Sequence, residues 1–249
     1  MSTKTNTPLA LIGENSSNFI KEGLIANAFQ VILLPANHCL ASQVESHADM
    51  LICVLDNTVF CNELYYKENK QIFDLIREYG YSIDTANFHV SDKYPKDIAL
   101  NQAVIGKNII GRADSCAENI LKYAKSHEYN YCSVKQGYAK CSTLILGKTA
   151  VITADDGILA TANQLGIKTL KIKNGANEIA LNGYDYGFIG GASAVYENKV
   201  FFFGDITLHS QGEKITTFCK ENGFLPISLG KEKLCDIGGA IILPYINKK

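Results

Sequence analysis

Residues 141–173 read CSTLILG, K, TAVITA, DDGILATANQLG, I, KTLKIK, and this stretch decides the fold. Two apolar runs of strand length, 141–147 and 149–154, flank one lysine, the layout of a hairpin. Asp155-Asp156-Gly157 follows and reads as a helix N-cap, and Gly166 reads as the cap that ends that helix. A second alternating run, 168–173, then predicts a return strand. The unit is strand, tight turn, strand, helix, strand.

The same order recurs on both sides. One copy begins at Asp49 (DMLICVL, DN, TVFCN, a helix over 63–80, YSIDTAN) and the next at Gln102 (QAVIG, KN, IIGR, a helix from Ser115, YCSVK). A further copy begins at Gly191 (GASAVYEN, KVFFFGD, GEKITTFCKENG, LPISL). The last begins at Gly238 (GGAIILP) and stops, and its other half lies at the start of the chain: PLALIG, a helix from about Ser16, QVILLPA. A repeat of roughly 40–50 residues marks a propeller or an array, because one such unit cannot bury its own apolar face. An open array needs capping units, and none is legible. The split copy therefore predicts a five-bladed α/β propeller, one domain over residues 1–249, closed by pairing of its first and last strands.

Composition excludes several classes. The chain has 249 residues, 47% hydrophobic and 20% charged, enough apolar content for a full core. The net charge of −1 and the lack of a basic run argue against a nucleic-acid partner. No apolar run of about eighteen residues predicts a membrane span, and the N-terminus lacks the order of a secretion signal. Eight cysteines without a CxxC pair, several inside apolar runs (Cys53, Cys61, Cys132, Cys219), predict buried free thiols in a reducing cytoplasm. Ser115 with Glu118 three residues on predicts a capping box. Asp56-Asn57 and Lys107-Asn108 predict hairpin turns.

In a ring of repeats, equivalent positions of different copies converge near the axis. The residues just before each first strand are then the candidates for chemistry. They are His47 and Asp49, Asn101, Cys141, Gly190 and Gly191, and Asp236 with Gly238 and Gly239. A thiol, an imidazole and a carboxylate around one cavity are the parts of nucleophilic catalysis. Cys141 is the candidate nucleophile, its thiolate favoured by an imidazolium or by a cationic substrate. His47 is the candidate proton shuttle. Asp236 or Asp49 could hold a planar cation through paired hydrogen bonds. Asn101 and the doubled glycines complete the expected substrate contacts, since glycine lets a backbone approach a ligand. The same residues also have plain structural readings: a thiol at a strand start, and aspartates bonding the backbone of their own turns. His38, Cys39, His47 and Asp49 match no common zinc spacing, so no metal is expected. Gly187-Phe188-Ile189-Gly190-Gly191 precedes a strand rather than a helix, so no dinucleotide cofactor is expected either.

The fivefold strand-strand-helix-strand plan resembles the pentein superfamily. That family includes dimethylarginine dimethylaminohydrolase, arginine deiminase, agmatine deiminase and amidinotransferases, and the ribosome anti-association factor is a non-enzymatic ring of similar size. In the hydrolases a carboxylate with doubled glycine comes one copy before the histidine, and the cysteine two copies after it. Asp236-Ile237-Gly238-Gly239, His47 and Cys141 keep that order if the chain ends fall at a different point of the ring, as in a circular permutation. Ala240 replaces the carboxylate the family carries after the doubled glycine, and Gly190 to Ser193 lacks its Arg-Asp pair. The resemblance implies a thiol-dependent hydrolase or transferase acting on a small guanidino or amidino compound, with no cofactor. A second copy of the chain is the other partner considered. The alternative it implies is a non-catalytic binding or assembly factor.

Overall fold

The computed structural model describes residues 7–176 and 178–247. The chain opens with β1 (Leu9–Gly13), α1 (Asn18–Ala26) and β2 (Gln30–Leu34). A short helix, α2 (Ala48–Leu51), leads into β3 (Ile52–Leu55), β4 (Thr58–Asn62), α3 (Glu63–Glu68), α4 (Lys70–Glu78) and β5 (Ser82–Ala86). Then come β6 (Ala103–Ile105), β7 (Asn108–Gly111), α5 (Glu118–Ser126) and β8 (Asn130–Ser133). The following unit is β9 (Thr143–Leu146), β10 (Ala150–Thr153), α6 (Asp156–Gln164) and β11 (Lys168–Lys171). After β12 (Ile179–Ala180) lie β13 (Ser193–Tyr196), β14 (Lys199–Phe202), α7 (Gly212–Glu221) and β15 (Leu225–Ser228), and β16 (Leu234–Cys235) and β17 (Ile241–Leu243) follow.

These strands form six small sheets: β17-β1-β2, β3-β4-β5, β6-β7-β8, β9-β10-β11, β13-β14-β15 and the two-stranded β12-β16. Each three-stranded sheet is wired alike, its middle strand antiparallel to one neighbour and parallel to the other. A tight turn makes the antiparallel pair, and a helix makes the parallel crossover. In the first sheet the antiparallel partner comes from the far end of the chain, with Leu9 opposite Leu243 and Leu11 opposite Ile241.

The strands are apolar on both faces because both faces are covered. On β1, Leu9 and Leu11 pack with Val59, Phe73 and Ile76 of the second unit. Ala10 and Ile12 face the other way, onto Ala194, Phe201 and Phe203. The pattern repeats. Phe60 packs with Ile109 and Ile120, Ile110 with Val151 and Ile158, and Ile152 with Val200, Phe202 and Ile215. Each cluster thus joins two successive sheets and at least one helix. The cluster containing Phe201 joins the fourth complete unit to β1, and there Phe29 meets Phe201 edge-on at 5.3 Å.

Several local expectations hold. Asp155 caps α6, accepting from the Ile158 amide at 2.8 Å. Gly166 takes positive φ beyond α6, as Gly80 and Gly223 do beyond α4 and α7. All eight cysteines are free, and Cys53, Cys61 and Cys219 are buried as expected while Cys132 is only half-buried. Others need correction. Ser115 lies in a separate 3-10 turn (Ala113–Ser115), and α5 starts at Glu118 behind Ala117, with no side-chain cap. The Ser115 hydroxyl donates to Asp114 instead, because the extended Cys116 and Ala117 carry it away from the helix end. The helix expected over 63–80 breaks at Asn69 into α3 and α4. The β6-β7 turn is Gly106-Lys107, one residue earlier than expected, because Gly106 supplies the positive φ of 61°. Among the described residues no helix is long and apolar enough to cross a membrane.

Candidate active site

The starts of the units meet, and backbone hydrogen bonds fasten them together. The Gly191 amide donates to the Cys141 carbonyl at 3.0 Å, and the Gly191 carbonyl accepts from the amides of Gly239 at 2.7 Å and Ile237 at 3.1 Å. The Asp49 amide donates to the Gly238 carbonyl at 3.3 Å. Glycine is required at these crossings. Gly238 holds φ 75° against the ring of His47, and a Cβ on Gly191 would run into the Asp236 carboxylate. Gly190, Gly191, Gly238 and Gly239 bring other groups close, and none of them borders the cavity beside Cys141.

Cys141 ends a turn that leads into β9, and it is 3% exposed. Its thiol donates to Asp49 Oδ2 at 3.0 Å and accepts from Asn101 Nδ2 at 3.1 Å. Asn101 is fully buried and fixes this turn. Its Oδ1 accepts from the Lys140 amide at 2.8 Å and the Cys141 amide at 3.2 Å, while Nδ2 also donates to the Asp49 carbonyl at 3.3 Å. Those bonds engage both ends of its amide, and the residue does not border the cavity beside Cys141. Asn101 thus positions Cys141 in the free protein.

His47 precedes α2 and is buried, and its Nδ1 has no hydrogen-bond partner. Asp236 Oδ1 stands 3.9 Å from that nitrogen. The Asp236 carboxylate accepts from the Phe188 amide at 2.8 Å and from the Gly238 amide at 3.0 Å. The turn-forming reading of Asp236 thus holds, and the residue also borders the cavity. Asp49 Oδ1 is buried without a partner. Donor atoms of His47, Asp49 and Cys141 all lie within 4.8 Å of one another, close enough to hold a metal ion. His38 and Cys39 are not part of that group: His38 pairs with Glu45 at 2.8 Å, and Cys39 is exposed.

Electrostatics set the resting protonation. Burial, then the neighbouring Asp49 and Asp236, push the Cys141 thiol well above its ordinary range, and Lys140 offsets only part of this. Burial raises the Asp49 carboxyl from 3.8 to about 6 against the opposing pull of Lys140, His47 and the Cys141 thiol. The nearby lysine side chain reaches the Gly190 carbonyl at 3.3 Å. The free site therefore holds a neutral thiol beside a carboxylate that titrates near neutrality.

A cavity of about 330 Å³ opens onto this group, bordered by His47, Cys141 and Asp236 on the inner side. Tyr138 and the 181–188 loop, with Leu181, Tyr184, Asp185, Tyr186 and Phe188, form the rest of its wall, together with Val44 and Met50. Sequence reasoning passed over that loop. The signal was present in the aromatic run Tyr184-Asp185-Tyr186, whose tyrosines are 51% and 40% exposed. Asp49 borders a different cavity of about 110 Å³, with Lys140 and Gln102.

Comparison with solved structures gives the same architecture at low identity. The dimethylarginine dimethylaminohydrolase of Pseudomonas aeruginosa, a cysteine-to-serine mutant complexed with citrulline, matches with TM-score 0.57 and 10% identity over 96% of this chain and 98% of that one. SxtG, an amidinotransferase from Microseira wollei, matches with TM-score 0.59 and 11% identity over 93% and 80%. The agmatine deiminase of C. jejuni matches with TM-score 0.55 and 7% identity over 97% and 93%. The likeness is one of fold, which this chain shares with these pentein-superfamily neighbours. Comparison with curated proteins gives no match. A family described as "Family of unknown function (DUF6873)" matches residues 11–241.

Proposed function

The chain belongs to the DUF6873 family, and we propose that it is a thiol-dependent hydrolase or transferase acting on a small guanidino or amidino compound. The observation that carries this is the convergence of Cys141, His47 and Asp49 within 4.8 Å, with Cys141 and His47 facing a cavity of about 330 Å³. The fold neighbours support it, since an amidinotransferase and an agmatine deiminase are among them. Within this reading the five alike sheets form a closed five-bladed ring and one domain. The five interlocking clusters and the β1-β17 pairing support that closure.

The chemistry follows from the resting state. Carboxylates around Cys141 oppose a thiolate, so the free enzyme is unreactive until a cation arrives. A guanidinium in the cavity supplies that charge and presents its central carbon to the sulfur. As the S–C bond forms, the thiol proton passes to Asp49 Oδ2, the oxygen it already faces at 3.0 Å. His47 gives a proton to the departing nitrogen as the C–N bond breaks, which leaves an amidino thioether on Cys141. Water attacks that carbon and loses a proton to His47. The S–C bond then breaks, and Cys141 recovers its proton from Asp49. Asp236 sits beside His47 and holds the 188 and 238 backbone in place. In a transferase an acceptor amine takes the place of water.

The test is release of ammonia or amine from a panel of monosubstituted guanidines and amidines by the wild-type chain and by Cys141→Ser. Turnover that disappears in the serine variant is expected. Turnover that survives it, or its absence with every compound in the panel, contradicts the proposal.

A further inference from the structure

We infer that the cavity beside Cys141 takes a guanidine or amidine whose far end is a primary amine and which carries no carboxylate. This rests on the reading of Cys141 as the group that faces the guanidino carbon. Two carboxylates, Asp236 and Asp185, and four aromatic rings, Tyr138, Tyr184, Tyr186 and Phe188, border the cavity. Among the described residues that border it there is no lysine or arginine. Asp236 lies at the inner end beside His47. Asp185 lies on an exposed loop segment between two exposed tyrosines, and no hydrogen bond or ion pair engages its carboxylate among the described residues. An ammonium group there meets an opposite charge and the faces of aromatic rings. A carboxylate there meets a like charge and no cationic partner, and it loses part of its hydration.

A neighbouring groove continues outward from the cavity. It shares Tyr186 and Phe188 with the cavity and carries Asp114, Asp155 and Asp156 against Arg112 and Lys135. Arg112 is already held by Asp114, through two hydrogen bonds of 2.7 and 3.1 Å. Asp156 is likewise paired with Lys171, so the charges of this groove are close to balanced and the preference rests on the cavity itself.

The experiment compares 4-aminobutylguanidine, butylguanidine and arginine as substrates of the full chain. Relative to the first compound, the second lacks the amine and the third adds a carboxylate. The expected kcat/KM for aminobutylguanidine exceeds that for butylguanidine by about fivefold, the order one exposed ion pair is worth. It exceeds that for arginine by about tenfold or more, the order for a charge left without a partner. Asp185→Asn brings the aminobutyl-to-butyl ratio down toward one. Arginine used as well as aminobutylguanidine overturns the inference, and so does a ratio that Asp185→Asn leaves intact. If none of the three is turned over, the shift in Tm of Cys141→Ser with each compound decides. The same order of shifts upholds the charge preference while the catalytic reading fails. Equal shifts, or none, overturn the preference itself.

Discussion

Replacing Asp49 by Asn separates the stability of this protein from its chemistry. The Asp49 carboxyl titrates near 3.8 in the unfolded chain and near 6 in the fold, chiefly because it is buried. Between those values the native state holds a proton that the unfolded state has lost. The folded state is thus favoured by this group at low pH, and that advantage is lost as pH rises from about 4 through 6. The gap between 3.8 and about 6 is worth about 3 kcal/mol at about 1.4 kcal/mol per pH unit. Asn removes the charge and keeps an oxygen that can accept from the Cys141 thiol. Its own amide hydrogens lack a partner, which costs about 1–2 kcal/mol at every pH. The pH-dependent part is therefore the diagnostic. Relative to wild type, Asp49→Asn gains about 3 kcal/mol between pH 4 and pH 7.5 in urea unfolding followed by fluorescence or circular dichroism. Its kcat/KM falls at the same time by about a hundredfold or more, the order for loss of a proton acceptor. A stability difference that stays flat across pH, or a variant that keeps full activity, refutes this account of Asp49.

Three further outcomes follow from the same geometry. Asn101→Ala strips the acceptor from the amides of Lys140 and Cys141, so it should lower stability by about 2–4 kcal/mol and lower kcat more than it raises KM; unchanged unfolding by denaturant contradicts this. Phe201→Ala empties the cluster that joins the fourth unit to β1 and should cost about 3–5 kcal/mol in the same measurement, whereas a loss under 1 kcal/mol argues against tight closure there. Alkylation of Cys141 by a neutral reagent should rise only at pH above 9 in the free protein, because burial and two carboxylates hold the proton on sulfur. A saturating guanidinium ligand should move that midpoint downward if the reagent still reaches the sulfur, and a free-protein midpoint near the ordinary thiol value of about 8.5 argues against the neutral resting thiol.

The repeat was legible because the units share an order of apolar hairpin, helix and return strand, most fully punctuated where Asp155 precedes α6 and Gly166 follows it. Cys53, Cys61 and Cys219 were legible as core by their neighbours in strands and helices. The capping box failed at Ser115 because a three-residue turn intervenes, and spacing alone does not reveal the extended Cys116. The site was legible only in its membership. That the unit starts converge follows from the repeat. That the Cys141 thiol points to Asp49 rather than His47 depends on a contact across 92 residues, which no local pattern encodes. That Asn101 spends its amide on the Cys141 turn was not legible either, since those bonds span 39 and 40 residues. Asp185 and its flanking tyrosines were missed because loop direction is set by packing, not by periodicity.

A haloacetamidine tests the central claim most directly, since it presents an amidinium cation and an alkylating carbon to the same cavity. Mass spectrometry of the treated wild-type chain should find one adduct, on Cys141, formed with saturation kinetics, suppressed by a competing guanidine and absent from Cys141→Ser. Modification that is spread over exposed thiols such as Cys39, or that ignores the competing guanidine, contradicts a nucleophile built into this cavity.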